Sequence, residues 1–146
     1  MSIVSKRSYK GLVLNIILVI LVFNVGILGY RMTKDPVDLV EITLNKKVIS
    51  AKEDLTITIH NYGFRSISFG SYEPIYRVYE NDTIKKVKYP ENVAWEASLH
   101  IIAPLIGSST ENVYTDHLEP GKYLIKKNFK IQGYGEYYKI VSFRVR

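Results

Sequence analysis

The chain has 146 residues and a formal charge of +6, from 20 Lys and Arg against 14 Asp and Glu. It contains no cysteine, which excludes disulfides, thiolate metal sites and a thioether-linked lipid anchor. Half of the positive excess is Lys6, Arg7 and Lys10, so the rest of the chain is too nearly balanced to argue for nucleic-acid binding.

Residues 1–10 form a short basic tail, and residues 11–30 (GLVLNIILVILVFNVGILGY) carry no charge at all. At about 1.5 Å per residue such a helix covers roughly 30 Å, the thickness of a bilayer core. No polar face recurs at helical spacing, as a soluble core helix would require. The segment therefore predicts one transmembrane helix, which partners membrane lipid. Lys6, Arg7 and Lys10 precede it and only Arg31 and Lys34 follow closely, so the basic excess places the N-terminus in the cytoplasm. The remainder is then an extracytoplasmic domain on a single-pass cell-membrane protein. A cleaved signal peptide is the competing reading, but its apolar region spans about 7–15 residues before a small-x-small site. This run is longer and no Ala-x-Ala-like triplet follows it, which favours an uncleaved signal anchor. Asn15 and Asn24 are its only strongly polar side chains; each reads as tolerated rather than as half of a dimer stripe, because nine residues separate them.

Residues 31–36 make a short tether, and residues 37–146 a single domain. Strand-like runs follow in order. Val37–Leu44 comes first, and Asp54–Asn61 alternates Leu55, Ile57 and Ile59 with Thr56, Thr58 and His60. Ser66–Phe69 is short. Pro74–Glu80 and Thr83–Tyr89 read as a hairpin across Asn81-Asp82, and Glu91–Trp95 has room for one helical turn. Ser98–Ile102 and Glu111–Thr115 flank an expected turn at Gly107-Ser108-Ser109. Lys122–Ile131 places Tyr123, Ile125, Phe129 and Ile131 on one side, with Lys126, Asn128 and Lys130 on the other. Tyr137–Val145 turns Val141, Phe143 and Val145 inward. Seven or eight short strands, twelve tyrosines and no long amphipathic helix predict an all-β antiparallel sandwich.

Leu118-Glu119-Pro120-Gly121-Lys122-Tyr123-Leu124-Ile125 combines a Pro-Gly turn with a Tyr entering the next strand. In immunoglobulin-like sandwiches such a Tyr forms a corner, its hydroxyl bonded to nearby backbone. Leu55–Asn61, Phe69-Gly70-Ser71-Tyr72, the hairpin within Ile75–Val87 and the closing pair Tyr114–Phe129 and Tyr138–Val145 complete the pattern. Over roughly residues 38–146 the chain resembles the bacterial immunoglobulin-like domains of exported and membrane-anchored proteins, disulfide-free. It departs from them at Leu124, where Arg often follows the Tyr. The resemblance implies an immunoglobulin-like fold, an extracytoplasmic setting and a structural role for Leu118, Pro120, Gly121 and Tyr123. It implies no activity.

Candidate chemistry is sparse. His60, His100 and His117 show no metal-ligand spacing, and no Gly-x-Ser-x-Gly elbow or phosphate loop occurs. Gly107-Ser108-Ser109-Thr110 reads as a plain turn. Glu73, Glu80, Glu91 and Glu96 form no distinctive pair. No catalytic residue, metal ligand or cofactor is expected, and the chain is not expected to be an enzyme. Lys85, Lys86 and Lys88 lie on one strand, and Lys122, Lys126, Lys127 and Lys130 on another. These read mainly as solvated faces and guarded edges, with contact to an anionic surface as the functional alternative. Tyr72, Tyr76 and Trp95 are candidate interaction anchors, with Lys126 and Lys130 beside them. The expected function is binding, as an adhesion, scaffold or accessory module whose partner is a protein or a cell-surface polymer. The alternatives are a secreted binding domain with a cleaved signal, or a surface-filament subunit. The latter calls for a prepilin-type cleavage motif and an acid near the helix start, and neither is present around Lys10.

Overall fold

The computed structural model describes residues 6–72, 74–91 and 98–146. The chain divides into two compact units, Met1–Asp35 and Pro36–Arg146.

The first unit is built on one helix, α1, Lys6–Met32. Its segment Gly11–Met32 is long and apolar enough to cross a membrane, and it equally fits a signal sequence near the N-terminus. Val and Ile, β-branched, are mediocre helix formers in water, but in lipid a lone segment satisfies its backbone only as a helix. The Asn24 amide donates to the Ile20 carbonyl at 2.7 Å, one turn back, so its polarity is met inside its own helix. Arg31 lies in the last turn, where a cation complements the helix dipole. Thr33 closes the end, its hydroxyl donating to the Tyr30 carbonyl at 2.8 Å.

The second unit begins with a 3-10 turn at Pro36–Leu39, in the place where a strand from Val37 was expected. Proline fixes φ near the helical value and suits the first position of such a turn, so strand geometry starts only at Val40. Ten strands follow among the described residues: β1 Val40–Leu44, β2 Val48–Ile49, β3 Leu55–Asn61, β4 Ile67–Gly70, β5 Ile75–Val78, β6 Ile84–Lys86, β7 Leu99–Ile102, β8 Gly107–Val113, β9 Gly121–Ile131 and β10 Gly135–Val145. One sheet has three strands in the order β1-β3-β8, all antiparallel. The other has seven, with β2-β10-β9-β4-β7 in order and β5, carrying β6, beside the first half of β9. This second sheet is mixed rather than wholly antiparallel, because β2 pairs parallel with β10.

The core draws on both sheets. Ile57 and Ile59 from β3, Phe69 from β4, Tyr123, Ile125 and Phe129 from β9, and Phe143 from β10 are buried in one cluster. Period-2 alternation explains it: β3 buries Leu55, Ile57, Ile59 and Asn61, and β9 buries alternate residues from Tyr123 to Ile131.

The segment 107–110 departs from expectation. It is not a turn but the first half of β8, paired with β3. The bend lies just before it, with Leu105 at a φ of 76°. A Cβ on Gly107 would stand 2.3 Å from the Ala103 carbonyl oxygen, so glycine is there for close approach of backbone rather than for a turn. The hairpin at Asn81-Asp82 does form. Tyr79 and Thr83 bond through N to O at 2.9 Å, and Asn81 Oδ1 accepts the Thr83 amide at 3.1 Å.

Candidate functional site

The Pro-Gly turn ahead of β9 is a structural joint. The Tyr123 hydroxyl donates to the Glu119 carbonyl at 2.7 Å, the corner expected from the sequence. The ring is buried and stacks on Phe143, centroids 5.5 Å apart. Burial pushes the Tyr123 phenol pKa up and keeps it a neutral donor. Leu118 is buried beneath the turn. Arg77 clamps it from β5, donating to Glu119 Oε2 at 2.6 Å and to the Pro120 carbonyl at 3.0 Å. The hydrogen bond that Arg77 donates to Glu119 raises the Arg77 pKa further, so the clamp stays charged. Gly121 leaves room for it: a Cβ there would meet Arg77 Nε at 3.3 Å.

A second joint, absent from the sequence reading, centres on Asn61 at the end of β3. It is buried, its amide donates to Arg65 O at 2.8 Å and to Ala103 O at 3.0 Å, and its Oδ1 accepts the Gly63 amide at 3.0 Å. One side chain thus ties the end of β3 to the bend before β8.

The most concentrated polar chemistry is a buried ionic cluster that joins the two sheets. Lys127 of β9 is 0% exposed, whereas it was expected on a solvated lysine face. Its neighbours Ile125 and Phe129 explain this, because alternation carries residue 127 inward with them. Lys127 Nζ donates to Glu111 Oε2 of β8 at 2.6 Å and to the Gly70 carbonyl at 3.0 Å. It also lies 4.6 Å from the Phe69 ring centroid, and His100 stacks on that ring at 5.3 Å. Glu111 Oε1 is 3.0 Å from His100 Nε2 but out of line for a hydrogen bond. The same Nε2 is 3.1 Å from both Ser71 Oγ and Ser98 Oγ, and those hydroxyls are bonded to each other.

Ser, His and Glu in contact suggest nucleophilic catalysis, but the geometry opposes it. A relay needs the acid on one ring nitrogen and the serine on the other. Here the carboxylate and both hydroxyls crowd one nitrogen, and Lys127 holds the carboxylate's other oxygen. Among the described residues no three His, Asp or Glu side chains converge as metal ligands.

The outward face of the seven-stranded sheet carries most of the expected interaction residues. Tyr72 is exposed with Lys86 Nζ 5.3 Å from its ring, and Tyr76 is half-buried opposite Lys86 in the β5–β6 ladder. Lys126 lies over the Tyr138 ring at 4.1 Å, and Lys130 is exposed opposite Ser68. Trp95, Glu73 and Glu96 fall outside the described residues, as does most of the turn expected at Glu91–Trp95. The sequence reading missed the apolar part of this face: Leu99 (70% exposed) and Ile101 (69%) on β7, and Tyr138 and Ile140 on β10. The readable signal was Leu99 and Ile101 two apart in a strand whose other residues, His100 and Ile102, point inward. The outer face of the three-stranded sheet is more polar, with Glu41, Thr56, Thr58, His60, Ser108, Thr110 and Asn112 on it and the Thr58 and Thr110 hydroxyls 2.9 Å apart.

Residues 37–141 match the sequence profile described as a bacterial Ig-like domain. No curated protein matches the chain significantly. Several solved structures are similar at low identity. Northeast Structural Genomics Consortium target SoR45 matches with a TM-score of 0.49 at 16% identity, over 73% of this chain and 85% of that one. The PapD-like domain 7 of human CEP192 matches with 0.44 at 13%, over 78% and 88%. The chaperone–tip adhesion subunit complex of Csu pili from Acinetobacter baumannii matches with 0.45 at 8%, over 72% and 55%. Likenesses this remote identify no function.

Proposed function

The chain belongs to the bacterial Ig-like domain family, and on that premise we propose that it is a membrane-anchored extracytoplasmic module that acts by binding, not catalysis. We read its two sheets as the layers of an immunoglobulin-like sandwich, and α1 as an uncleaved anchor with its N-terminus in the cytoplasm. The observation that carries the binding role is the asymmetry of the two outer faces. The three-stranded sheet offers polar side chains that water satisfies, Glu41 and His60 among Thr, Ser and Asn. The seven-stranded sheet offers exposed Leu99, Ile101, Tyr138 and Ile140 beside Lys126 and Lys130. Exposed apolar groups rimmed by charge mark interaction surfaces, and rigid aromatics supply contact area at low entropic cost. The partner is a protein or cell-surface polymer that meets this face.

The test is site-specific photocrosslinking of the intact protein in its own membrane. A photoreactive residue at Tyr138 should give one discrete crosslinked species, and one at Asn112 none. Equal labelling at both positions, or none at Tyr138, would sink the binding reading. Mass spectrometry of the same material separates anchor from secreted domain: a mature chain lacking residues 1–30 means a cleaved signal.

A further inference from the structure

A groove of about 530 Å³ crosses the outward face of the seven-stranded sheet, lined by Ser68, Leu99, Asn128, Lys130, Glu136 and Tyr138. The strand register explains its shape. Leu99 pairs with Gly70, and Asn128 with Tyr138. Ser68 pairs with Lys130, so Gly70 and Asn128, each two residues from that pair, fall at one level. Leu99 and Tyr138, both exposed, are then walls three strand spacings apart, roughly 14 Å between backbones. Between them lies a low floor of two residue types that strands disfavour. Asn128 interrupts β9, and Gly70 has no structural need to be glycine: its φ is not positive, and a Cβ there would meet nothing within 4 Å. A strand glycine that neither bends nor packs closely marks a place where a ligand approaches the backbone.

The Tyr138 ring adds a second, independent observation. Lys126 Nζ lies over one of its faces at 4.1 Å. Lys126 stands in the next rung, opposite Ile140, whereas the groove lies on the side of Lys130 and Glu136. The lysine therefore braces the ring from behind, and the other face looks onto the groove. Around that face stand an ammonium (Lys130), a carboxylate (Glu136), the Asn128 amide and the Ser68 hydroxyl. Lys130 and Glu136 oppose each other in the β9–β10 ladder, so the groove carries no net charge. It offers donors and acceptors together, beside an aromatic face.

We propose that this groove binds a neutral sugar unit of a cell-surface glycan. A pyranose ring has an apolar C–H face that packs on an aromatic ring, and an edge of hydroxyls that each donate and accept. An anion would meet the Glu136 carboxylate, and a purely apolar ligand would leave four polar groups desolvated and unpaired. An extended peptide adds to a sheet edge through its main chain, whereas this groove crosses β4 and β9, which are interior strands. The volume lies within the roughly 300–1,000 Å³ of small-molecule sites. The inference rests on the reading of this face as the binding surface and names the chemistry of its partner.

The experiment uses the full chain, isotopically labelled, in phosphatidylcholine bilayer discs, because many mild detergents are themselves sugars. Amide resonances of Gly70 and Asn128 are followed by NMR during titration with cellotetraose, chitotetraose and mannotetraose. The expected result is a saturable shift at both residues with at least one of the three, unchanged by added salt. Tyr138→Ala removes the stacking face and should weaken binding by about tenfold. Gly70→Leu fills the floor and should abolish binding, the rest of each variant's spectrum reporting that the fold is kept. Thr58→Ala, on the other sheet, should change affinity less than twofold. No saturable shift with any of the three sugars, undiminished binding by Gly70→Leu or Tyr138→Ala, or tetragalacturonate or tetra-alanine binding as tightly as the best neutral sugar overturns the proposal. A discrete protein crosslink at Tyr138 can survive that outcome, so the two readings fail separately.

Discussion

The buried pair Lys127–Glu111 allows a decisive stability test. With Lys127 0% exposed and Nζ 2.6 Å from Glu111 Oε2, neither charge has ready access to water. Lys127→Met leaves the Glu111 carboxylate without its cation, and Glu111→Leu leaves the ammonium without that carboxylate. Breaking a buried pair from one side typically costs about 3–5 kcal/mol, because the surviving charge stays desolvated. Against a total stability of roughly 5–15 kcal/mol, either single change should be severe. The double variant removes both charges and puts similar apolar volume between Phe69 and the β8 strand. It should lie within about 1 kcal/mol of the parent, or above it. The coupling energy in the cycle is then at least about 5 kcal/mol. Urea unfolding of residues 36–146, a segment that holds the whole core, reads this directly. At a slope of about 1.5 kcal/mol per molar, each single change lowers the midpoint by roughly 2–3 M. Single variants that cost under about 1 kcal/mol, or a double variant worse than both singles, would refute the reasoning and mean that water reaches the pair.

Three further outcomes are expected. Tyr123→Phe deletes the 2.7 Å bond to Glu119 O, a carbonyl in an exposed turn that water can reach, so the loss should be about 1 kcal/mol, a fall of roughly 4–8 °C in Tm by calorimetry. Gly107→Ala sets a Cβ against backbone 2.3 Å away and should cost more than about 2 kcal/mol, whereas Gly70→Ala, with nothing within 4 Å, should stay within about 1; equal costs would remove the close-approach argument. Burial lowers the His117 pKa below its ordinary value, Asp116 opposing weakly. The unfolded chain then takes up the proton first, so stability should fall as pH drops through about 6.5 towards the folded value, and His117→Gln should flatten that slope in pH-dependent urea melts.

Local features of this fold were legible in the sequence and long-range ones were not. The Tyr123 corner could be read because donor and acceptor sit four residues apart around a Pro-Gly turn. The alternation of β3, β9 and β10 could be read because each strand is long enough to show a period. Lys127 was in that same alternating row; the cluster of lysines around it masked its parity. Glu111 was hidden because Gly107-Ser108-Ser109 has turn composition, and only the Ala103 contact reveals why glycine is needed there. The ionic cluster gathers Ser71, the neighbours Ser98 and His100, Glu111 and Lys127 from four segments, which no spacing rule links. A two-residue strand such as β2 has no period to detect, and its partner lies at the far end of the chain.

That last pairing bears on the order of events during synthesis. Val48 and Ile49 wait for Arg144 and Val145, and Arg146 N closes the ladder on Ile49 O at 2.9 Å. Lys139 likewise bonds back to the Val40 carbonyl. β9 and β10, which supply Tyr123, Ile125, Phe129, Ile131, Phe143 and Val145 to the interior, are the last strands made. Contacts this distant in sequence form slowly, on the millisecond-to-second scale of β domains. Until its final strand emerges, the growing chain has no completed interior to collapse onto.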